Sequence, residues 1–257
     1  MYKENIMYSL EGKVAIVTGG TRDIGRSCSV KLAAAGAKVV VNYCNNKQAG
    51  DETVALIEKA GGTAILVRGD MTKKAEVDVL VAETQKAFGK DIHVLVNNVG
   101  GLVARKTLAE MDEEFLNNVM ALNVNSTFLA TQAVVPHMPA GSSIVNLTSL
   151  AGRDGGGGGA SAYAASKGAC ITFTRSMAKE LGPQGIRVNA LCPGMIDTTF
   201  HDTFTPDVAR RNVEASVPLR RQGHPDDCAD TVLYLASAAS AYITGANIDI
   251  NGGMAFS

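Results

Sequence analysis

No two cysteines in this chain are spaced for a metal or a redox couple. The five, Cys28, Cys44, Cys170, Cys192 and Cys228, are dispersed without a CxxC pair. That excludes a disulfide framework and reads as free thiols in a reducing compartment. An excess charge of one sign is lacking too. With 24 basic and 25 acidic side chains the net charge is -1, so no whole-chain field gathers nucleic acid or an anionic membrane. An acidic ligand would have to be met by a local basic group. No run approaches the roughly 18 apolar residues that span a bilayer, and the opening MYKENIMYSLEGK has no signal-peptide core. Nor does a Pro- or Ser-rich linker or an internal repeat divide the sequence, so one domain is expected over residues 1–257. These absences point to a cytoplasmic enzyme or binding protein with a small-molecule partner, without nucleic acid or membrane. His93, His137 and His224 do not cluster, and no metal is expected.

What is present is alternation. Apolar, β-branched runs at Val14–Val17, Val39–Asn42, Ala64–Val67, Val94–Val96, Ser143–Leu147, Arg187–Leu191 and Asn247–Ile250 show no polar alternation, as expected of strands covered on both faces. Between them Ile24–Ala35, Lys47–Ala60, Lys73–Phe88, Met111–Pro136, Ser161–Leu181 and Pro225–Ala236 are each long enough for a helix. Gly36, Gly61, Gly62 and Gly89 stand where the first three would stop. Strand and helix in turn predict an α/β fold, a Rossmann-like doubly wound parallel sheet of about seven strands. Two segments break the pattern: the run Gly155–Gly159, and the polar stretch Thr198–Pro218, expected to be a substrate lid.

The first strand runs into Thr18-Gly19-Gly20-Thr21-Arg22-Asp23-Ile24-Gly25 and then a helix. A glycine turn there lets backbone N–H groups approach a phosphate at the positive end of the helix. Farther on, Tyr163 and Lys167 lie four apart and so share one helical face. Free tyrosine titrates near about 10, and a nearby ammonium favours its phenolate. Lys167 can supply that ammonium, and Ser149, after a buried strand, can donate to a carbonyl oxygen as charge develops on it. A Tyr–Lys pair alone is weak, because most such pairs decorate a helix surface.

Together with Asn97-Asn98-Val99-Gly100 and Pro193-Gly194, these segments resemble the short-chain dehydrogenase/reductase family over essentially the whole chain. The resemblance implies an NAD(P)-dependent oxidoreductase acting on CH–OH and carbonyl groups, with Asn123, Ser149, Tyr163 and Lys167 as its catalytic group. Asn123 would distort its helix and hold a water, with Asn125 as the competing position. The turn resembles the family's TGxxxGxG except that Asp23 replaces the middle glycine. Asp23 is expected to cap the following helix. The cofactor would be held by Gly19, Thr21, Arg22, Asp23, Ile24 and Gly25. Asn42 would serve at the end of the second strand, Asp70 and Met71 at the adenine, and Asn97 and Gly100 on the adenosine side. Pro193, Gly194, Ile196 and Thr198 would hold the nicotinamide, beside Tyr163 and Lys167. With Asn42 instead of an acid after the second strand, and Arg22 in the turn, NADPH is favoured over NADH. The alternative is Arg22 as a solvated turn residue, with NADH used.

VNYCNN and the general pattern resemble bacterial 3-oxoacyl-acyl-carrier-protein reductases. The glycine run and Asp197-Thr198-Thr199-Phe200-His201 resemble bacterial reductases of an alginate-derived ketouronate. That second resemblance implies a small polar keto or aldehyde sugar acid as substrate. Arg153, Arg105 or Lys106 would meet its carboxylate and His201 a hydroxyl; solvated loop charges are the alternative for each. A non-catalytic dinucleotide-binding regulator is the third possibility, though it would be expected to have lost Tyr163 or Lys167. The family also implies a homotetramer built on Met111–Pro136, Ser161–Leu181 and the C-terminal strand.

Overall fold

Strands with no polar alternation need cover on both faces, and the chain supplies it. A computed structural model describes residues 8–256. Strands β1 (Val14–Val17), β2 (Lys38–Tyr43), β3 (Thr63–Arg68), β4 (Val94–Asn97), β5 (Ser143–Leu147), β6 (Arg187–Pro193) and β7 (Asn247–Ile250) form one sheet in the order β3-β2-β1-β4-β5-β6-β7. Every neighbouring pair is parallel. Within β1, Ala15 and Val17 join one apolar cluster while Ile16 joins the other, as the two-residue period of a strand requires. Central strands β1, β4 and β5 are buried throughout, whereas the edge strands β3 and β7 are partly exposed.

Helices α1 (Asp23–Ala34), α2 (Lys47–Lys59) and α3 (Lys74–Phe88) stop within two residues of Gly36, Gly61 and Gly89. They are followed by α4 (Glu113–Met120), α5 (Ser126–Val134), α6 (Ala151–Asp154), α7 (Ser161–Leu181), α8 (Thr199–Phe204), α9 (Asp207–Ser216) and α10 (Pro225–Ala236). One core cluster joins Cys28 and Leu32 of α1 to Val232 and Leu235 of α10. The other joins Val77 and Leu80 of α3 to Ala130 and Val134 of α5 and Ala178 and Leu181 of α7. Full burial of a side chain such as Leu32 or Leu95 contributes about 1.5–3 kcal/mol. The sheet order reverses between β1 and β4, and the crevice at their carboxyl ends is where such folds bind ligands.

Two expectations are corrected. Met111–Pro136 is not one helix. A π-helical turn, Ala121–Asn125, separates α4 from α5, and a 3-10 turn from Val135 to His137 closes the segment at Pro136. Side chains compete for the main-chain carbonyls there: Asn123 Nδ2 donates to Val119 O at 3.0 Å, Ser126 Oγ to Leu122 O at 2.5 Å and Thr127 Oγ1 to Asn123 O at 3.0 Å. Such competition loosens the regular helical ladder. The polar stretch after β6 is likewise not a plain loop. It folds into α8 and α9, divided at Pro206, with Arg210 of α9 paired to Asp202 at 2.6 Å and also to Asp197. No helix of the described residues is long and apolar enough to cross a membrane.

Candidate active site

The β1–α1 turn is held from three sides. Asn42 Oδ1 accepts from Gly19 N at 3.0 Å while its amide donates to Gly69 O at 3.0 Å. Asn98 Nδ2 donates to Thr18 O at 3.1 Å and Gly19 O at 3.0 Å, and Ser29 Oγ donates to Gly20 O at 3.1 Å. These bonds fix the path of the turn, so that Gly19, Thr21, Arg22, Asp23, Ile24 and Gly25 line a cleft of about 830 Å³, a size suited to a small molecule or cofactor.

Several residues assigned to the cofactor from sequence are not among those lining this cleft. Asn42 is buried and spends its polar atoms on the turn. Asn97 is buried in β4 and donates to Asn146 at 2.9 Å and Thr131 at 3.1 Å. Asp70 accepts from the N–H and hydroxyl of Thr72, and Met71 is core. The cleft is lined instead by Tyr43–Asn46 and by Asn98, at and just past the ends of β2 and β4. Gly100 does line it, as do Pro193, Gly194, Ile196 and Thr198.

Asp23 departs from its expected role. Arg22 is the N-cap of α1 and makes no side-chain cap. Asp23 adopts φ of +50°, the left-handed region in which Asp and Asn are the best tolerated residues after glycine. Its carboxylate turns away from α1 and accepts from Thr199 at the start of α8, from Oγ1 at 2.6 Å and from N at 3.3 Å.

Ser149, Tyr163 and Lys167 come together on another wall of the same cleft. Ser149 follows β5, and its Oγ accepts from Ala151 N at 3.1 Å. Lys167, one turn after Tyr163 on α7, is 4% exposed. Its Nζ donates to Leu147 O at 2.7 Å and lies 5.8 Å from the Tyr163 ring centre. An ammonium so placed stabilises negative charge developing on the phenol oxygen. Asn123 sits behind, fully buried in the π turn, and pairs reciprocally with Gly101: Oδ1 accepts from Gly101 N and Nδ2 donates to Gly101 O, both at 2.9 Å. Its own carbonyl accepts from Thr127 Oγ1 at 3.0 Å and Cys170 Sγ at 3.3 Å.

Helix α8 adds aromatic rings to this wall. Phe200 packs on Tyr163 with ring centres 5.9 Å apart, and on His201 at 5.0 Å and Phe204 at 5.2 Å. Of the bases proposed for substrate, Arg105 lines the cleft, where it ties α8 to the glycine run by donating to Phe204 O at 3.1 Å and Gly158 O at 2.8 Å. Arg153 does not. It turns to β7, 3.1 Å from Asp249 and 2.5 Å from Asn247 O, because a half-buried guanidinium is drawn to the nearest carboxylate and carbonyl. Lys106 lies over the Phe115 ring at 4.6 Å. His93, His137 and His224 bond to Val14 N, Gln85 and Asp226 N respectively, all within the scaffold.

His201 also lines the cleft. Its burial, with Arg210 and Arg105 nearby, pushes the imidazole down from 6.5 to about 4, against the opposing pull of Asp197 and Asp202. Below pH 6.5 an unfolded lid binds a proton that the folded lid refuses, so its stability falls as pH drops from 6.5 towards 4. Hydrogen exchange of the α8 amides, referenced to α7, is expected to speed up across that window. His201→Gln should flatten the response, and an equal response in that variant would assign the effect elsewhere.

A second cleft, of about 530 Å³, lies between Val217–Leu219 and Phe256 and is lined by none of the residues expected to serve catalysis, cofactor or substrate. The buried thiols of Cys28 and Cys228 are pushed up by desolvation, Cys228 to about 12, which leaves them protonated and unreactive.

Known proteins share the sequence and the frame. A family model described as enoyl-(acyl carrier protein) reductase matches residues 19–255. A 3-oxoacyl-[acyl-carrier-protein] reductase of Synechocystis is 41% identical over 252 residues, which is 96% of this chain and 99% of that protein. A short-chain dehydrogenase/reductase from Serratia marcescens superposes with a TM-score of 0.89 at 33% identity, covering 95% of this chain and 98% of that one. An NADH-dependent reductase, A1-R', responsible for alginate metabolism, superposes with a TM-score of 0.88 at 34% identity, covering 96% and 99%.

Proposed function

The chain belongs to the short-chain dehydrogenase/reductase family, and from that premise we propose that this NAD(P)H-dependent oxidoreductase reduces the carbonyl of a small polar sugar acid, such as an alginate-derived ketouronate. The observation that carries the chemistry is the shared cleft, with Ser149, Tyr163 and Lys167 on one wall and the glycine turn on the other. The turn fits a dinucleotide phosphate: it is a side-chain-poor loop at the start of a helix, and a Cβ on Gly25 would meet Gly19 O at 2.2 Å. When bound, the nicotinamide supplies or accepts hydride. Tyr163 gives its proton to the carbonyl oxygen as charge builds there, and Ser149 donates a second hydrogen bond to that oxygen. Lys167 balances the charge left on Tyr163, its ammonium aimed by Leu147 O. Asn123 holds the Gly100-Gly101 segment against Lys167; we assign it a positioning role through the π turn.

Arg105 supports an acidic substrate, since it is the guanidinium in the cleft wall between the glycine run and the lid. Arg105→Met is expected to raise KM for the ketouronate about tenfold or more, the worth of a charge-assisted bond, and to leave an uncharged aldehyde unchanged. An equal effect on both would make Arg105 a loop clip only. The second reading, a 3-oxoacyl-acyl-carrier-protein reductase, is favoured by the Synechocystis relative and by the aromatic rings of Phe200 and Phe204. Turnover of ketouronate against acetoacetyl thioester, each with NADH and NADPH, separates the two.

NADPH is our preferred cofactor. Tyr43–Asn46 bring no carboxylate to the cleft, and the Arg22 side chain is 67% exposed at its rim. A higher kcat/KM with NADH would overturn that preference. We further propose a cytoplasmic homotetramer whose contacts include the exposed Phe128 on α5, packed at 6.3 Å on Phe173 of α7; sedimentation at micromolar concentration tests the assembly.

A further inference from the structure

The glycine turn and the lid are 176 residues apart in sequence at Asp23 and Thr199, yet they meet directly. Thr199 Oγ1 donates to Asp23 Oδ2 at 2.6 Å and accepts from Arg22 Nη1 at 2.6 Å. The hydroxyl thus acts as donor and acceptor at once, between a carboxylate and a guanidinium that themselves approach to 3.9 Å. Asp23 Oδ1 adds a longer bond from Thr199 N at 3.3 Å. Within the α1 turn this carboxylate meets only the Arg22 guanidinium, at 3.9 Å, and the N-cap position makes no side-chain cap bond. The φ of +50° at Asp23 aims the side chain out of the helix and across the cleft. A glycine at this position would accept the same φ but would offer the lid nothing.

We propose that Arg22 and Asp23 latch Thr199, so that the lid is fastened to the cofactor turn and the cofactor leaves only when this latch opens. The inference rests on the reading of the cleft as a dinucleotide site. Both halves of the latch line that cleft, and Thr198, next to Thr199, is 9% exposed and donates to Ile196 O at 3.1 Å. Thr198 is thereby held at the edge of the cleft, and α8 begins immediately after it. Arg22, Asp23 and Thr199 are positioning residues: they act through the lid. The latch also engages Arg22, so a cofactor phosphate that recruits the guanidinium competes with Thr199 for it.

The test reads the lid and the cofactor separately. In the protein without cofactor, hydrogen exchange of the amides from Phe200 to Phe204 should accelerate about tenfold in Thr199→Val and in Asp23→Gly, as the charge-assisted bond is lost. Thr199→Ser, which keeps the hydroxyl, should retain wild-type protection. Asp23→Gly suits the local φ and spares the turn, and the double variant should open the lid no further than either single change. Stopped-flow fluorescence should show NADPH or NADH leaving about tenfold faster from Thr199→Val than from the wild type or Thr199→Ser. Unchanged lid exchange in Thr199→Val, or strictly additive effects in the double variant, would overturn the latch. Faster lid exchange with unchanged cofactor release would overturn its control of release. Failure of the wild type to bind either nucleotide would refute the functional reading and, with it, control of release, while the exchange result would still decide the contact.

Discussion

Turnover is expected to fall about a thousandfold in Tyr163→Phe, within the range of a lost general acid, while cofactor affinity stays within a factor of about two. The phenyl ring keeps its packing against Phe200, whose centre lies 5.9 Å away, so the lid and the cleft wall keep their shape. What goes is one O–H, the group beside the Lys167 ammonium. Titration of cofactor fluorescence measures the affinity, and single-turnover reduction of a carbonyl measures the chemistry. Unchanged turnover would move the proton donor to another group, with Ser149 the first to examine. Lys167→Met should lose activity as well, but with a different signature. It leaves Leu147 O unpartnered, and removing the donor to a buried carbonyl costs about 1–3 kcal/mol of stability.

The second large effect concerns shape. Gly25→Ala is expected to weaken cofactor binding about a hundredfold or more. By intrinsic propensity the change should help, since alanine in a helix is better than glycine by about 1 kcal/mol. Geometry opposes it. The added Cβ would stand 2.2 Å from Gly19 O and 2.7 Å from Asn98 Nδ2, and the first of these is backbone. The turn must then move away from α1, and small-to-large changes of this kind cost about 1–3 kcal/mol. Cofactor affinity and thermal midpoint should fall together. A higher midpoint with undiminished affinity would mean that helix propensity had won and that the turn has room to spare.

The sheet was legible because burial on two faces leaves a clear mark: runs such as VAIV and VVVN have no polar partner to alternate with. The Tyr163–Lys167 pair was legible because helical spacing alone places the two on one face. Side-chain direction at strand ends was not. Asn42 and Asn97 are the last inward residues, and their neighbours Tyr43 and Asn98 are the ones that reach the cleft; one residue of register separates scaffold from site. Arg153 was misassigned for a related reason. Its proximity in sequence to Ser149 says nothing of Asp249, which β7 brings to it from the end of the chain. The lid was expected as a loop because its helices bury little. Helix α9 has no fully buried residue, and Val208 and Val213 are its only large apolar side chains, too short a stripe to announce a helix.

The ring of Phe200 lying on Tyr163 has an optical consequence. The chain contains no tryptophan, so an indole placed at position 200 would be its only one and would sit against the tyrosine. The proposed opening of the lid would separate that pair and change the emission. The seam between α8 and Tyr163 is therefore a natural place to watch the proposed opening in real time.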